Sequence, residues 1–551
     1  MTTVRSNMIP QLLFFIKSQR LALISVLLCI FYLAITLPAF WQSSHLLYNL
    51  EPYPDGLLYA LSARNFILEG DLALNYQDSH TDFWVAPLYS YVLAIGYLLS
   101  QTPQIFYLVN ILLGLLSLVA LFILTWKTTH SSIAVFITSV IYLAHSYILW
   151  LPTIPMAENL SLLLLISSLA FLLIPEKQSW KSFSFLMLSA IGLVLTKYAT
   201  AVLALALIVL GIIQFRHNYT KPFFLISVSA MLFAFFSFSI LITSPFNLLQ
   251  SFVSALISGT NSYYSFSFFF SNLSSYLNTL VGSNGTFLWQ TTPLSSIWIL
   301  IVFLISLATL WMKKIQYRWK IFILASIFVA QFPLMLIFYV VDARYIIFSI
   351  PIFAIGIGWL AAFAWERSYR FSVFLVLGLL LVAHMLTQQP LLRQIVADNV
   401  LGRSTAWQHE AILHFDQTIP QSTKETFLIT ALPPHLIDAY SQSQYKSLPL
   451  STNQEFISKG QWVWGSEMDP KLTHENFASL YDQSDLFNLV DQLIGTTEQL
   501  VYISNAYITH QSSVLSDYEM FKERYTLELY KTGCSRACDV YLIKQPLPIS
   551  N

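Results

Sequence analysis

Charge is the scarcest commodity in this chain of 551 residues. Asp, Glu, Lys and Arg make up 10% of it, while 56% of the residues are hydrophobic and the mean hydropathy is +0.62. Soluble domains carry about 25% charged residues. The shortfall excludes an ordinary soluble protein and predicts a chain that crosses a membrane many times. Basic and acidic residues balance at 28 each, so there is no positive surplus to attract nucleic acid, which is excluded as a partner. Cysteine is scarce too, with three residues. Cys29 lies in the first apolar segment, where a thiol packs as a small hydrophobe. Cys534 and Cys538 form a C-x3-C near the C-terminus. Zinc would need more ligands nearby; if the tail faces an oxidising compartment, a local disulfide fits better. No internal repeat and no low-complexity tract occurs. Aromatics, by contrast, reach 15%, a composition suited to membrane interfaces and to lipid or sugar surfaces.

A helix needs about 20 apolar residues to cross a bilayer. The candidates are segments 21–40, 105–126, 131–150, 157–174, 182–197, 199–214, 222–243, 293–312, 320–341, 346–365 and 371–388; of these, 182–197 and 199–214 are short and joined by the tight turn Thr196-Lys197-Tyr198. The fold class expected is therefore a polytopic α-helical membrane protein of about eleven spans, or twelve to thirteen on the loosest count. Arg5, Lys17 and Arg20 precede the first segment and no small-residue cleavage site follows it, which predicts an uncleaved first helix.

Segment 87–99 is apolar but short, and a proline, Pro87, opens it. Its status sets the side of everything after it. With the N-terminus cytoplasmic and 87–99 not crossing, Lys127, Lys177, Lys181, Arg216, Lys221, Lys313, Lys314, Arg318, Lys320, Arg367 and Arg370 all fall inside. Only Arg64, Lys197 and Arg344 then stand in the outer loops, a positive-inside distribution. This predicts a multi-pass protein of the inner (cytoplasmic) membrane whose C-terminal part is periplasmic or extracellular. Two domains are expected: 1–390, transmembrane, with a first outer loop at 41–86 and a middle outer loop at 244–292, and 391–551, a soluble extracytoplasmic α/β domain. In the tail, FLITAL, QLVYISNAY, YTLELYK and DVYLIK have strand composition. PHLIDAYSQ, FASLYDQSDLFNLVDQLI and DYEMFKERY read as helices.

Ionisable residues at the outer surface are few enough to weigh singly. Asp55 follows Pro54 and precedes a helix with an apolar face of Leu57, Leu58, Leu61, Phe66 and Leu68. A carboxylate there either caps the helix, worth about 1 kcal/mol, or acts as a base on a substrate. Glu158, in LPTIPMAENL, stands at the outer end of a span; it either complements the helix dipole or marks a functional site. Asp342, Arg344 and Tyr345 fall between two spans in VVDARYIIFSIP. The arginine fork suits phosphate, and the plain alternative is an Asp342–Arg344 surface pair of little value. Lys197, in a tight outer turn, is either a second phosphate contact or a snorkelling side chain. Asp78, His80 and Asp82 alternate in YQDSHTDFW; in an extended strand they share a face and can bind a divalent metal, or they are simply solvated.

In their order and their common side, these motifs resemble the GT-C membrane glycosyltransferases, specifically the protein O-mannosyltransferase and aminoarabinose-transferase branch. The residues that carry the resemblance are PDGLLYALSARNFILEGDL, APLYSYVLAIGYL, PMAENL, LTKYAT and DARYIIFSIP, over roughly residues 20–390. The resemblance implies a donor sugar carried on a polyprenyl phosphate and an inverting transfer at the outer membrane face. Asp55 is implied as the base, Glu158 as a second catalytic carboxylate, and Arg344, Lys197 and Tyr345 as the donor-phosphate contacts. The implied acceptor is a protein, lipid A or an envelope glycan, and a divalent metal is possible. The chain departs from the pattern in two places: a lone Asp55 stands where some relatives have an Asp-Glu pair, and Ala86 precedes Pro87 where some branches have a basic residue or histidine. Donor and acceptor therefore do not transfer from any single branch. The alternative function is a flippase or transporter for lipid-linked saccharides. Transporters bury ionisable groups near the bilayer midplane, whereas these charges gather at one surface.

Overall fold

A computed structural model describes residues 5–42, 55–70, 74–76, 79–81, 86–174, 180–215, 266–282, 292–338, 341–367, 370–401, most of 407–432, 445–450, 483–494, 499–506, 512–532 and 538–546. The expected span 222–243 and most of the 244–292 loop lie outside the described residues. The first elements are α1 (Arg5–Thr36), α2 (Pro38–Gln42), α3 (Asp55–Glu69), a two-stranded hairpin of β1 (Leu74–Tyr76) and β2 (Ser79–Thr81), and α4 (Leu88–Leu99). Proline has no N–H to continue a helical ladder, and the α1–α2 break falls at Pro38. The helix α4 has 12 residues, about 18 Å at 1.5 Å per residue, well short of a bilayer's hydrocarbon core.

The bundle continues with α5 (Gln104–Thr129), α6 (Ser132–Ala144), α7 (Ser146–Trp150), α8 (Glu158–Leu173), α9 (Trp180–Thr196) and α10 (Ala201–Phe215). After these come α11 (Phe269–Val281), α12 (Ile297–Lys313), α13 (Arg318–Ala330), α14 (Phe332–Leu336), α15 (Ser349–Trp365) and α16 (Arg370–Leu401). Contacts between α5 and α8, α8 and α9, α9 and α10, α6 and α15, and α12 and α15 hold the bundle together. Among the described residues, Leu21–Trp41, Gln104–Thr129 and Phe371–Ala397 are long and apolar enough to cross a membrane unaided. The other apolar helices are shorter or broken.

The segment 131–150, expected as one straight span, is instead two helices bent by 77°. The cause is a side chain from α16. Gln388 Oε1 accepts the Ser146 backbone N–H at 3.1 Å and the Ser146 hydroxyl at 2.6 Å, so the helical ladder stops at His145. Insertion of a side chain into the ladder is a recognised source of sharp kinks. The expected 320–341 segment divides likewise, into α13 and the proline-containing α14.

In the tail, α17 (Trp407–Thr418), β3 (Glu425–Thr430), β4 (Tyr445–Pro449), α18 (Gln483–Ile494), β5 (Gln499–Ser504), α19 (Ser512–Arg524), β6 (Tyr525–Lys531) and β7 (Val540–Pro546) follow in order. The strands form one mixed sheet in the order β4-β3-β5-β7-β6. β3 runs parallel to both β4 and β5, and β7 is antiparallel to β5 and β6. Phe427, Ile429, Leu486, Val490, Val501, Ile503, Phe521 and Ile543 form its core with α18 and α19. Four strands fall where their composition places them. The fifth, β4, has the sequence YKSLP and no strand signature of its own. Cys538 is buried and disulfide-bonded and Cys29 is a free thiol; Cys534 lies outside the described residues.

Candidate active site

Three chain segments distant in sequence bring four charged side chains to one point. The first is Leu151–Ala157, which follows the bent helix α7 and contains Pro152 and Pro155. Neither proline can donate to a helical ladder, so a new helix starts only at Glu158, the first residue of α8. The second is the turn between α9 and α10, where the Lys197 backbone N–H still closes on Leu193 O at 2.9 Å. The third is a single 3-10 turn, Ala343–Tyr345, ahead of α15. Asp342 caps that turn by accepting the Arg344 backbone N–H at 2.8 Å.

One carboxylate oxygen is shared by two cations. Lys197 Nζ lies 2.5 Å from Glu158 Oε1, and Arg344 Nη1 lies 3.9 Å from the same atom. Arg344 also donates through Nε to Asp342 Oδ2 at 3.0 Å. Lys197 Nζ stands 4.6 Å from the centre of the Tyr345 ring, within cation–π range. The cluster is buried: the exposed fractions of the side chains are 1% for Glu158, 6% for Asp342, 8% for Arg344 and 12% for Lys197. Burying ions is costly unless partners compensate them; here two carboxylates face two cations and the charges sum to zero. The plain alternative for Asp342 and Arg344, a surface pair, does not hold: the pair is buried, because the turn packs into the bundle instead of projecting from it.

Of the residues picked out in the sequence, Glu158, Lys197, Arg344 and Tyr345 converge. Asp55 is the first residue of α3, one turn ahead of Tyr59. The Tyr59 ring meets that of Tyr89 edge to face, with centroids 5.1 Å apart, and Tyr89 lies within electrostatic range of Glu158. His80 falls on β2, opposite Asn75. Asp78 and Asp82 lie outside the described residues, among which no group of three His, Cys, Asp or Glu side chains converges.

Several neutral residues at the site were not picked out in the sequence. Tyr147 and Tyr276 both lie within electrostatic range of Asp342, and the Asp342 backbone hydrogen-bonds Tyr276. Asn110 and Asn272 are buried amides behind the charged segments. A lone asparagine inside an apolar run such as FYLVNILLGLL was the available signal.

This constellation offers two convergent cations beside an aromatic ring at the ends of apolar helices, an arrangement suited to an anionic headgroup on a lipid. No protein-family model matches the chain, and no curated protein sequence does either. Solved structures do. ArnT from Cupriavidus metallidurans in the apo state is 14% identical, with a TM-score of 0.57 over 93% of this chain and 97% of that one. The same ArnT bound to undecaprenyl phosphate is 15% identical, with a TM-score of 0.52 over the same shares. At such identity the likeness speaks for the fold alone, and it runs through bundle and tail together: the chain shares the fold of that ArnT.

Proposed function

We propose that this chain is a glycosyltransferase of the inner membrane that moves a sugar from a polyprenyl-phosphate donor to an acceptor at the outer face. The observation that carries this reading is the shared Glu158 oxygen, which holds Lys197 and Arg344 together beside Tyr345. The ArnT structure with undecaprenyl phosphate supports the lipid class of the donor. The acceptor class is a protein side chain, lipid A or a growing envelope glycan.

In the proposed reaction the acceptor O–H or N–H gives its proton to Asp55. The bond between the sugar's anomeric carbon and the phosphate oxygen breaks as the acceptor bonds to the opposite face of that carbon, inverting it. Negative charge builds on the departing polyprenyl phosphate, and Lys197 and Arg344 stabilise it in a water-poor site, where such interactions are strong. Glu158 keeps the two cations adjacent until the phosphate arrives.

General-base catalysis contributes about 10²–10⁴-fold. Asp55→Asn, in proteoliposomes given a polyprenyl-phosphate sugar that the wild type uses, is expected to lose activity by a factor in that range. It should still bind undecaprenyl phosphate. A folded Asp55→Asn chain that transfers sugar at the wild-type rate would remove Asp55 from the mechanism.

A further inference from the structure

Each half of the charged cluster follows a place where helical backbone ends, and a buried asparagine stands behind each. On α5, Asn110 is fully buried. Its amide nitrogen donates to Leu151 O at 2.8 Å and also to Ile154 O. Its amide oxygen accepts the Tyr89 hydroxyl at 3.0 Å. On α11, Asn272 is also buried; its amide nitrogen lies 3.3 Å from Met335 O, 3.2 Å from Leu336 O and 2.6 Å from Phe338 O. The nearer anchors are placed alike. Ile154 O is four residues ahead of Glu158, and Phe338 O four ahead of Asp342.

The last carbonyls of a helix run short of partners within it; Leu151 O and Met335 O each accept one backbone N–H, from Ile154 at 3.2 Å and from Phe338 at 3.4 Å. In a water-poor bundle an unsatisfied carbonyl is costly, so a chain ending there is held by whatever further donors it reaches. Only a primary amide offers two N–H bonds from one nitrogen in a neutral group of this size. With carbonyls in front of that nitrogen, the orientation of each amide is fixed. A buried asparagine within a helix is otherwise unfavourable, through propensity and through desolvation. The carbonyl contacts account for both residues.

We propose that Asn110 and Asn272 are paired positioning residues: each holds the end of a broken helix at a set distance from one half of the site, so that Glu158 meets Arg344. Neither touches the reacting groups. Asn110 acts through the Ile154–Glu158 segment and Asn272 through Phe338–Arg344. Tyr89, bonded to Asn110 and packed on Tyr59, ties the first of these to the helix that begins at Asp55. The consequence for lipid binding rests on the functional reading above; the positional role does not.

The test uses the full chain in nanodiscs. Asn110→Leu keeps the branched shape and removes the donor, together with the acceptor for Tyr89. It is expected to speed amide hydrogen exchange at 154–159 about tenfold or more, since a buried unpaired carbonyl is costly, and to leave 342–346 unchanged. Asn272→Leu should do the reverse. If a leucine variant does not fold, Asn110→Ser or Asn272→Ser, whose shorter side chain offers a single O–H in place of two N–H donors, carries the same expectation. Undecaprenyl phosphate is the binding probe, and each variant should bind it about tenfold more weakly. In double-mutant cycles with Lys197→Ala for Asn110, and with Arg344→Ala for Asn272, the losses should fall short of adding. Additive losses mark a merely structural role and overturn the inference, as does unchanged exchange in both segments. A wild-type chain that ignores undecaprenyl phosphate, with the exchange shifts as expected, overturns the functional reading and upholds the positioning role.

Discussion

Glu158 is one carboxylate answering two cations, and removing its charge leaves Lys197 and Arg344 buried with too little compensation. Breaking a buried pair by deleting one partner costs about 3–5 kcal/mol. Glu158→Gln is therefore expected to lower the thermal unfolding midpoint in detergent strongly. The double variant Glu158→Gln with Lys197→Met should recover part of the loss, because the unpaired ammonium leaves with it. A midpoint unmoved by Glu158→Gln would mean that water reaches the cluster. The sequence made these charges legible because ionisable groups beside apolar spans are rare and each can be weighed. It could not show their depth. The distance from Arg344 to Glu158 depends on how three turns pack, and a local Asp342–Arg344 spacing looks the same in a solvated loop as in a buried one. Asn110 is legible as a lone amide in an apolar run, but its role shows only with its carbonyl partners, and Asn272, among the serines and asparagines of 244–292, had no such signal.

At the scale of elements, helix contacts depend on small residues as much as on large ones. A methyl group at Gly358 on α15 would fall on Thr138 Oγ1 and come within 3.2 Å of the Ala134 carbonyl on α6. Close approach of membrane helices through small residues is a common packing device. Gly358→Ala is expected to destabilise the chain by about 1–3 kcal/mol, the usual cost of overpacking. Adding Thr138→Ala should return a measurable part, read from unfolding midpoints. No recovery would place the strain on the Ala134 backbone instead. The sequence located the helices well because apolar runs of membrane length have few other uses. It missed the bend at His145, since the cause, Gln388, lies 242 residues from Ser146, the residue it bonds. It also missed β4, whose strand character comes from pairing with β3 and not from its own residues.

For the whole molecule, the distribution of Lys and Arg predicts an orientation, and the proposed function needs the tail outside. Lys522 on α19 is exposed. In intact cells, Lys522→Cys is expected to react with a membrane-impermeant maleimide; labelling only after lysis would invert the topology and move the charged cluster to the cytoplasmic face. The neighbouring helices have a further consequence. α4, α8, α9 and α10 contain 12, 16, 17 and 15 residues, which gives lengths of about 18–26 Å. A hydrocarbon core is about 30 Å thick, and a bilayer thins locally to match shorter apolar walls. Glu158 and Lys197 stand at the ends of two of these helices. Under the proposed function, hydrophobic mismatch on this flank would draw the headgroup layer toward the cluster, so that a polyprenyl phosphate would reach the two cations by following a dimple in the membrane, without being pulled out of its leaflet.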